Sequence, residues 1–385
     1  MLITTIDSIV QALAKTGSDD ISLANGKIGA LVFYAYLFLT DSSHSNSNKV
    51  KTLFNEIIDE FESDKEIDLS YAGGITGLMS VISHFKNEEK LDFLQSVSVD
   101  DIRKPIFSQA IKWIECDFID NLYGSVGIIH YFNQLDDSSS GEYVDALVSA
   151  LAAKAINLGA NKVAFINSFP DKRKQVLDFG FAHGMSGTLS VLLDVYEKQR
   201  CNEILYPIIT QGINYILESK ISMRAENGNY SFFPSNYNIN TKEYTINNRL
   251  GWCYGDLNQV VLLYKAGKLL NKKEYIDYAD IFGMATLSRI TEESTQIDTS
   301  SFCHGTSGLA YIYLHLYKLS GELNYFKAHE LWLNRTTDLL ITEISHGKYN
   351  QENSFSLLDG LTGTGLVLLS STSTGQLAWP KFILL

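Results

Sequence analysis

The sequence predicts an all-α fold, an α/α toroid of seven helical hairpins, and three observations carry this prediction. A Gly-x-x-Gly tetrad recurs along the chain, a run of apolar residues follows each copy, and more polar helical stretches lie between the copies. Self-similarity at intervals of this length is typical of proteins built from repeated structural units. We therefore expect residues 1–385 to form a single domain built from these repeats.

The tetrads begin at seven glycines that are spread over almost the whole chain. They are Gly26, Gly74, Gly124, Gly184, Gly255, Gly305 and Gly360. Six copies end in a second glycine, whereas Asn258 occupies that place in the fifth copy. The first glycine permits a tight turn and the second permits close approach of backbones, so each tetrad is expected to open a helix at a crowded position.

Each tetrad precedes a stretch that reads as a buried inner helix, for example from Leu78 and from Leu309. Polar, amphipathic stretches such as residues 142–156 and 271–289 read as outer helices. One hairpin cannot bury its apolar helix alone, but seven in a ring pack seven inner helices inside seven outer ones. Residues 225–248 lack helical periodicity and predict a small inserted loop or β-hairpin flap over the mouth of the ring.

Composition narrows the classes of partner. The formal net charge is −13 and the 31 Lys and Arg residues form no basic stripe, which argues against nucleic-acid binding. The amino-terminal residues lack the pattern of a signal peptide, and no stretch is apolar for the roughly 20 residues that a membrane span needs. We predict a cytoplasmic protein that does not insert into membranes directly, and peripheral association through a complex stays open.

The residues just before the tetrads carry the reactive groups. Cys253 and Cys303 stand two positions before the first glycine of consecutive repeats, and His304 follows Cys303. Buried cysteines are usually inert small hydrophobes, but equivalent placement in adjacent repeats brings these two sulfur atoms together. Two thiolates and one imidazole suit Zn²⁺, and three protein ligands with an open fourth position are typical of catalytic zinc. The sequence therefore predicts a zinc site.

The same residues resemble the three signature motifs of the lanthipeptide cyclases and their eukaryotic relatives, the lanthionine synthetase C-like proteins. The motifs in this chain are Trp252-Cys253-Tyr254-Gly255, Cys303-His304-Gly305 and His183-Gly184-Met185-Ser186-Gly187. The resemblance runs from about Ser22 to the carboxyl terminus and implies that Cys253, Cys303 and His304 hold Zn²⁺. In this family the fifth tetrad usually ends in glycine, so Asn258 puts in doubt the helix geometry just behind Cys253.

The resemblance also implies catalytic roles for four residues. They are His183 as the acid or base, Arg249, Tyr254 and Asp120. In the implied reaction a peptide thiol adds to dehydroalanine or dehydrobutyrine, and His183 protonates the resulting enolate. We expect Arg249 to pair with Asp120 and orient His183 or the substrate carbonyl. The plainer alternatives are a core histidine at position 183, a turn or capping aspartate at 120 and a packing role for Tyr254.

The implied activity is a zinc-dependent cyclase that forms thioether rings in a dehydrated precursor peptide, with a dehydratase and an exporter as further partners. Three alternatives stay open: a relative that adds glutathione to dehydroamino acids, an inactive scaffold of a synthetase complex, and an α/α-toroid glycoside hydrolase. The hydrolase needs two carboxylates flanking a sugar bond. The candidates near the tetrads are Asp120, Asp178, Asp256 and Asp359.

Overall fold

The computed structural model describes residues 2–41, 44–63, 66–96, 100–168, 176–223, 226, 228–349, 352–373 and 376–385. Its helices are α1 (Leu2–Leu13), α2 (Lys27–Asp41), α3 (His44–Ser63), α4 (Ile75–Phe85), α5 (Asp100–Glu115), α6 (Ser125–Gln134), α7 (Ser138–Ala152), α8 (Met185–Glu197), α9 (Asn202–Glu218), α10 (Asp256–Leu269), α11 (Lys273–Thr286), α12 (Glu292–Thr295), α13 (Thr306–Ser320), α14 (Leu323–Ser345) and α15 (Leu361–Thr372). Its strands are β1 (Ile156–Asn157), β2 (Val163–Ala164), β3 (Val176–Asp178), β4 (Asn236–Asn238) and β5 (Glu243–Thr245).

The seven tetrads open seven helices, as the sequence predicts. Helices α2, α4, α6, α8, α10, α13 and α15 each begin at the residue after the first glycine of a tetrad. Seven other helices alternate with them along the chain, namely α1, α3, α5, α7, α9, α11 and α14. The prediction of seven inner and seven outer helices is confirmed within the described residues, while the single domain over residues 1–385 stays a prediction.

A backbone turn closes just before several of the inner helices. The amides of Lys27, Ile75 and Thr306 each donate to the carbonyl seven residues earlier, at 2.8 Å in all three cases. This hydrogen bond occupies an amide that a helix start leaves without an intrahelical partner. The residues directly before each glycine therefore belong to a turn and lie at the amino end of an inner helix.

One compact unit contains residues 1–103, 298–313 and 327–385. In this unit α2 packs against α15, α4 and its outer partner α3, and α1 packs against α15. Trp379, near the carboxyl terminus, is fully buried, and its ring contacts those of Phe302 and Tyr311 at centroid distances of 5.6 and 4.8 Å. The last residues of the chain are thus part of the core of this unit.

A second compact unit contains residues 104–297 and 314–326. Here α8 packs against both α6 and α10, and each of these three inner helices has its own outer partner: α7 on α6, α9 on α8 and α11 on α10. The side chains of Trp252 and Tyr264 are almost completely buried. Consecutive inner helices therefore lie side by side in this unit, as the repeat pattern requires.

Two small antiparallel sheets modify the all-α prediction. Strands β1 and β2 pair with each other, and β3, β4 and β5 form a three-stranded sheet in that order. The prediction of a hairpin within residues 225–248 is confirmed by β4 and β5, although Ala225 lies outside the described residues. The outer stretch predicted for 142–156 is wrong at its end, because α7 stops at Ala152 and Ile156 belongs to β1. Strands this short leave almost no periodic signal in sequence.

The fifth tetrad departs from the others in its backbone. Gly255 has φ +137°, whereas Gly184 has φ −129° and Gly360 has φ −110° at the same position. Only glycine adopts such a positive φ without strain. Asn258 is 3% exposed, and its Nδ2 has no hydrogen-bond partner. The backbone at Gly255 thus differs from that at the other tetrad glycines, although α10 still begins one residue after it.

Among the described residues, no helix combines the length and the apolar character that crossing a bilayer requires.

Candidate metal centre and proton donor

Cys303 and His304 lie in the turn that precedes α13. Cys303 is 5% exposed, and its amide donates to the carbonyl of Leu358 at 2.7 Å. The Nε2 atom of His304 lies 3.4 Å from the Cys303 sulfur, while its Nδ1 lies 3.2 Å from Oδ1 of Asp359. Because the turn is not helical, the two neighbouring side chains reach the same point. Asp359 orients the ring so that Nε2 faces the sulfur.

Glu343, on α14, holds the segment that leads to Cys303. This carboxylate is buried and accepts hydrogen bonds from the amide and hydroxyl of Ser300. The Tyr349 hydroxyl donates to the same carboxylate at 2.8 Å, and Lys348 forms an ion pair with it. A buried carboxylate with several donors is rigidly placed. It fixes the chain three residues before Cys303.

Cys253 lies in the turn that precedes α10. It is 4% exposed, and its carbonyl accepts a hydrogen bond from the amide of Phe181 at 2.9 Å. The same turn closes on itself, since the amide of Gly251 donates to the carbonyl of Tyr254 at 2.9 Å. The backbone around Cys253 is thus tied to the segment that leads to His183.

The three predicted metal ligands offer one compact donor set. The Sγ atoms of Cys253 and Cys303 and a ring nitrogen of His304 all lie within 4.8 Å of one another. Two thiolates and one imidazole are ligands that zinc prefers, and both cysteines are largely shielded from solvent. These side chains are therefore able to hold a metal ion of this class.

His183 pairs with Asp120, so the structure brings these two predicted residues together. Nδ1 of His183 lies 2.8 Å from Oδ2 of Asp120, whose side chain is completely buried. The other carboxylate oxygen accepts hydrogen bonds from the amides of Leu122 and Tyr123 at 2.9 and 2.8 Å. Asp120 is thus held by the turn before α6, and it directs the Nε2 edge of His183 away from itself.

The surroundings of His183 favour its protonated form. Burial alone lowers the pKa of this imidazole, but the hydrogen bond to Asp120 and the negative charges of Asp120, Asp178 and Cys253 raise it, and the net shift of the pKa is upward. The side chain is 26% exposed, so its ring is reached from outside. A partly exposed imidazole with a raised pKa is suited to act as a general acid.

Asn167 is a site residue that the sequence analysis missed. Its Nδ2 donates to Oδ2 of Asp120 at 2.9 Å and to the carbonyl of His183 at 3.0 Å. It thereby joins the two members of the pair. No motif marks Asn167, and it lies 47 residues from Asp120 in sequence, so nothing in the sequence pattern pointed to it.

Tyr254 contacts a second carboxylate, Asp178, which the sequence suggested only as a candidate of the glycoside hydrolase alternative. Its hydroxyl donates to Oδ2 of Asp178 at 2.8 Å, and Oδ1 of Asp178 accepts from the amide of Gly180 at 2.7 Å. A Cβ atom on Gly180 would stand 2.7 Å from both the Cys253 carbonyl oxygen and the Tyr254 ring. Only glycine allows this segment to pack so closely on the Cys253–Tyr254 backbone.

Arg249 does not meet the expectation of an ion pair with Asp120. The partners of Asp120 within the described residues are His183, Asn167 and two backbone amides, and the amide of Arg249 donates to Oδ1 of Asn247 at 2.9 Å. The carboxylate has no accepting position left that faces a further donor, because its oxygens are already hydrogen-bonded. Asn167 occupies the place beside Asp120 that was expected for Arg249, and the role of Arg249 stays a prediction.

A different arginine stabilises the Cys253 turn. Arg289 is 2% exposed, and its Nη1 pairs with Oδ2 of Asp256 at 2.7 Å. Its other nitrogens donate to the carbonyls of Ser294 and Asn248. Burial raises the pKa of Asp256 to about 6, although the charge of Arg289 opposes this shift. This pair fixes the start of α10 directly after Tyr254.

Comparison with known proteins agrees with this geometry. A family described as "Lanthionine synthetase C-like protein" matches residues 17–384. The chain resembles the solved structure of nisin cyclase with a TM-score of 0.77 and 19% identity, over 99% of this chain and 96% of that one. At this identity the likeness shows the fold, and the predicted α/α toroid is confirmed.

A sequence relative is "Glutathione S-transferase LANCL1" of Danio rerio, 23% identical over 206 residues. The match covers 53% of this chain and 45% of the relative, so the chain matches less than half the length of that protein. The family match is much broader, since it runs from the first repeat to the last. The chain belongs to the lanthionine synthetase C-like family.

Proposed function

We propose that this protein is a zinc-dependent cyclase that joins cysteine thiols of a ribosomally made precursor peptide to dehydroalanine or dehydrobutyrine, which forms thioether rings. One observation carries the proposal. Two buried thiols and one imidazole lie within 4.8 Å of one another, next to a histidine of raised pKa in the turn of another repeat. The addition of a thiol to an activated double bond needs a metal that activates the thiol and an acid that donates a proton, and these side chains are suited to both.

Zinc bound by Cys253, Cys303 and His304 would lower the pKa of a substrate thiol, so that it is a thiolate near neutral pH. The chain's own residues prepare this site. Asp359 keeps Nε2 of His304 directed to the sulfur of Cys303, and burial of both cysteines excludes water. Backbone hydrogen bonds within the protein fix the turns that carry Cys253 and Cys303.

His183 supplies the proton that completes the addition. When the substrate sulfur attacks the β-carbon, the electrons of the double bond move towards Cα and the adjacent carbonyl. Asp120 holds Nδ1 of His183, so Nε2 is the atom that gives its proton to Cα. The carboxylate stabilises the imidazolium before transfer, and Asn167 keeps both partners in place.

The glycoside hydrolase alternative loses support from the same contacts. Such an enzyme needs one carboxylic acid and one carboxylate that face a sugar bond. All four candidate carboxylates already have side-chain partners: Asp120 with His183, Asp178 with Tyr254, Asp256 with Arg289 and Asp359 with His304. Each one positions a neighbouring group, which leaves the thiol chemistry as the better-supported function.

A second candidate, addition of glutathione to dehydroamino acids, is favoured by the similarity to the Danio rerio protein named as a glutathione S-transferase. It would use the same zinc ligands and the same proton donor with a different thiol. The two activities differ in whether the thiol comes from the peptide itself. They are distinguished by the product.

The test uses purified protein, zinc and a dehydrated peptide that retains cysteine, with and without glutathione. Cyclisation removes peptide thiols that can be alkylated and leaves the peptide mass unchanged, whereas the second activity adds the mass of glutathione. Wild-type protein that consumes no thiol under either condition supports the inactive scaffold. The partners that we propose are this dehydrated peptide and, in a complex, a dehydratase and an exporter.

The matched variants are Cys303→Ala and Cys201→Ala. We expect the first to lose zinc in metal analysis and to lose cyclisation, because one of three ligands is absent. Cys201 lies at the start of α9, close to Asp145, and its substitution should leave both properties intact. Full cyclisation by zinc-free Cys303→Ala would refute the proposal.

A further inference from the structure

Three aspartates occupy the same place in three repeats. Asp20, Asp68 and Asp178 each stand six residues before the first glycine of a tetrad. In each case Oδ1 accepts a hydrogen bond from the backbone amide two residues later, at 2.7, 2.8 and 2.7 Å respectively. This local contact is the usual turn-forming role of aspartate. A purely structural role therefore explains one oxygen of Asp178.

The second carboxylate oxygen, Oδ2, has a different partner in Asp178 than in Asp68. In Asp68, Oδ2 accepts from the Ser70 hydroxyl at 2.9 Å, within its own turn. In Asp178, Oδ2 accepts from the Tyr254 hydroxyl at 2.8 Å, across 76 residues of sequence. Asp178 is 9% exposed, so this bond is largely shielded from water. In this repeat the aspartate that forms the turn also contacts Tyr254, the residue next to Cys253.

This contact decides which way the Tyr254 hydroxyl points. An ionised carboxylate only accepts hydrogen bonds, so the phenol must donate its single proton to Asp178. The Tyr254 oxygen then offers lone pairs, and no proton, to anything that binds next to it. The ring has little freedom to turn, because Gly180 packs directly against it.

We propose that Asp178 is a positioning residue that holds the Tyr254 hydroxyl as a hydrogen-bond acceptor for a backbone amide of the substrate peptide. This inference rests on the proposed function and deepens it, because a phenol that donates its one proton to Asp178 does not donate it to the enolate. Asp178 itself acts through Tyr254.

The test is Asp178→Asn, with Asp68→Asn as the matched control. Asparagine keeps the shape and forms the same turn, but its amide nitrogen donates to Tyr254 and frees the phenol proton. We expect kcat to fall roughly tenfold or more, because the substrate is no longer oriented for attack, and KM to rise as well, because the same contact holds the bound substrate. Zinc content and thermal midpoint should stay at the wild-type value, and Asp68→Asn should leave kcat unchanged.

A double-mutant cycle separates positioning from general damage. Tyr254→Phe should lower kcat by a similar factor, and adding Asp178→Asn to it should cost nothing more, because the shared contact is already absent. Factors that multiply in the double variant would overturn the inference, as would Asp178→Asn protein with full kcat. Equal losses of stability in Asp178→Asn and Asp68→Asn would also overturn it, since the aspartate would then only form its turn.

One readout does not depend on the proposed activity. Ultraviolet resonance Raman of the tyrosine doublet, with Tyr254→Phe protein subtracted, reports whether this phenol donates or accepts. We expect a donor signal in the wild type and an acceptor signal in Asp178→Asn. If the protein fails to cyclise any peptide but the signal changes in this way, the proposed function fails and the positioning survives. An unchanged signal overturns the positioning alone.

Discussion

Two pairs of histidine and aspartate in this molecule use the same atoms in different surroundings. Nδ1 of His183 lies 2.8 Å from Asp120, a completely buried side chain, whereas Nδ1 of His304 lies 3.2 Å from Asp359, whose side chain is 47% exposed. Water screens the exposed pair, while the buried pair keeps most of its electrostatic interaction. Burial of the carboxylate, more than the pairing itself, thus distinguishes the proposed proton donor, His183, from the proposed metal ligand, His304.

The most direct test of this difference between the two pairs is to remove each imidazole in turn. We expect His183→Ala to keep its zinc and to lose roughly 10²- to 10⁴-fold in cyclisation rate, the usual effect of losing a general acid. His304→Ala should lose zinc and activity together. Metal analysis beside steady-state rates checks both. The comparison is wrong if His183→Ala also loses its metal.

Removing the buried negative charge should move a pH profile. In the wild type the raised pKa of His183 keeps it protonated to higher pH, so the rate falls only when the pH rises through that pKa. In Asp120→Asn the desolvation that lowers the pKa remains and the main opposing charge is gone. The alkaline fall in kcat should move to lower pH, with at least tenfold loss near neutrality. A profile that stays in place would show that Asp120 does not control this proton.

The exposed carboxylate should matter less. Asp359→Asn still orients His304 but removes a charge that water already screens. Since loss of an outer contact to a ligand typically costs 10- to 100-fold in metal affinity, we expect about tenfold here. Zinc competition with a chromophoric chelator measures this affinity. At saturating zinc kcat should equal that of the wild type, and a lower value would place Asp359 in the chemistry.

A third histidine, His84, has a hydroxyl as its partner in place of a carboxylate. Its effect is expected in the free energy of unfolding. Nε2 of His84 lies 2.7 Å from the Tyr36 hydroxyl, and burial together with the charge of Lys381 lowers its pKa to about 3. The unfolded chain, with a histidine pKa near 6.5, binds this proton first. The contribution of neutral His84 to the free energy of unfolding is therefore complete above about pH 6.5 and is lost as the pH falls towards 3.

His84→Gln should flatten the fall in unfolding free energy between pH 6.5 and 4.5, as measured by urea denaturation. The slope removed is at most about 1.4 kcal/mol per pH unit, the value for one proton. His346→Gln serves as the control, because His346 is exposed. An identical pH slope in His84→Gln and wild type would mean that His84 is not the group concerned.

The sequence was sufficient for features that repeat. Each inner helix begins one residue after a tetrad glycine, so the helix starts and the placement of His183, Cys253 and Cys303 at those starts could be predicted from spacing alone. The fold needed only this periodicity and the apolar runs, because burial of one helical face recurs in every repeat.

Features that occur once could not be predicted in this way. Asn167 and Asp178 reach their partners across 47 and 76 residues, and no pattern in the sequence records such contacts. The ion pair expected between Arg249 and Asp120 is absent from the described part of the chain for the same reason. Opposite charges in a sequence do not show which donors contact a buried carboxylate in the folded protein. The roles of Arg249 and Tyr254 stay predictions.

The tight contact at Gly180 has a consequence for recognising relatives in genome data. Any side chain at this position would collide with the Cys253 carbonyl and the Tyr254 ring, so we expect substitutions of this glycine to be selected against. The heptapeptide Asp178-Phe179-Gly180-Phe181-Ala182-His183-Gly184 can therefore be searched as one unit. A homologue that keeps the histidine but carries a bulky residue in place of this glycine is a candidate for a descendant that has lost the chemistry.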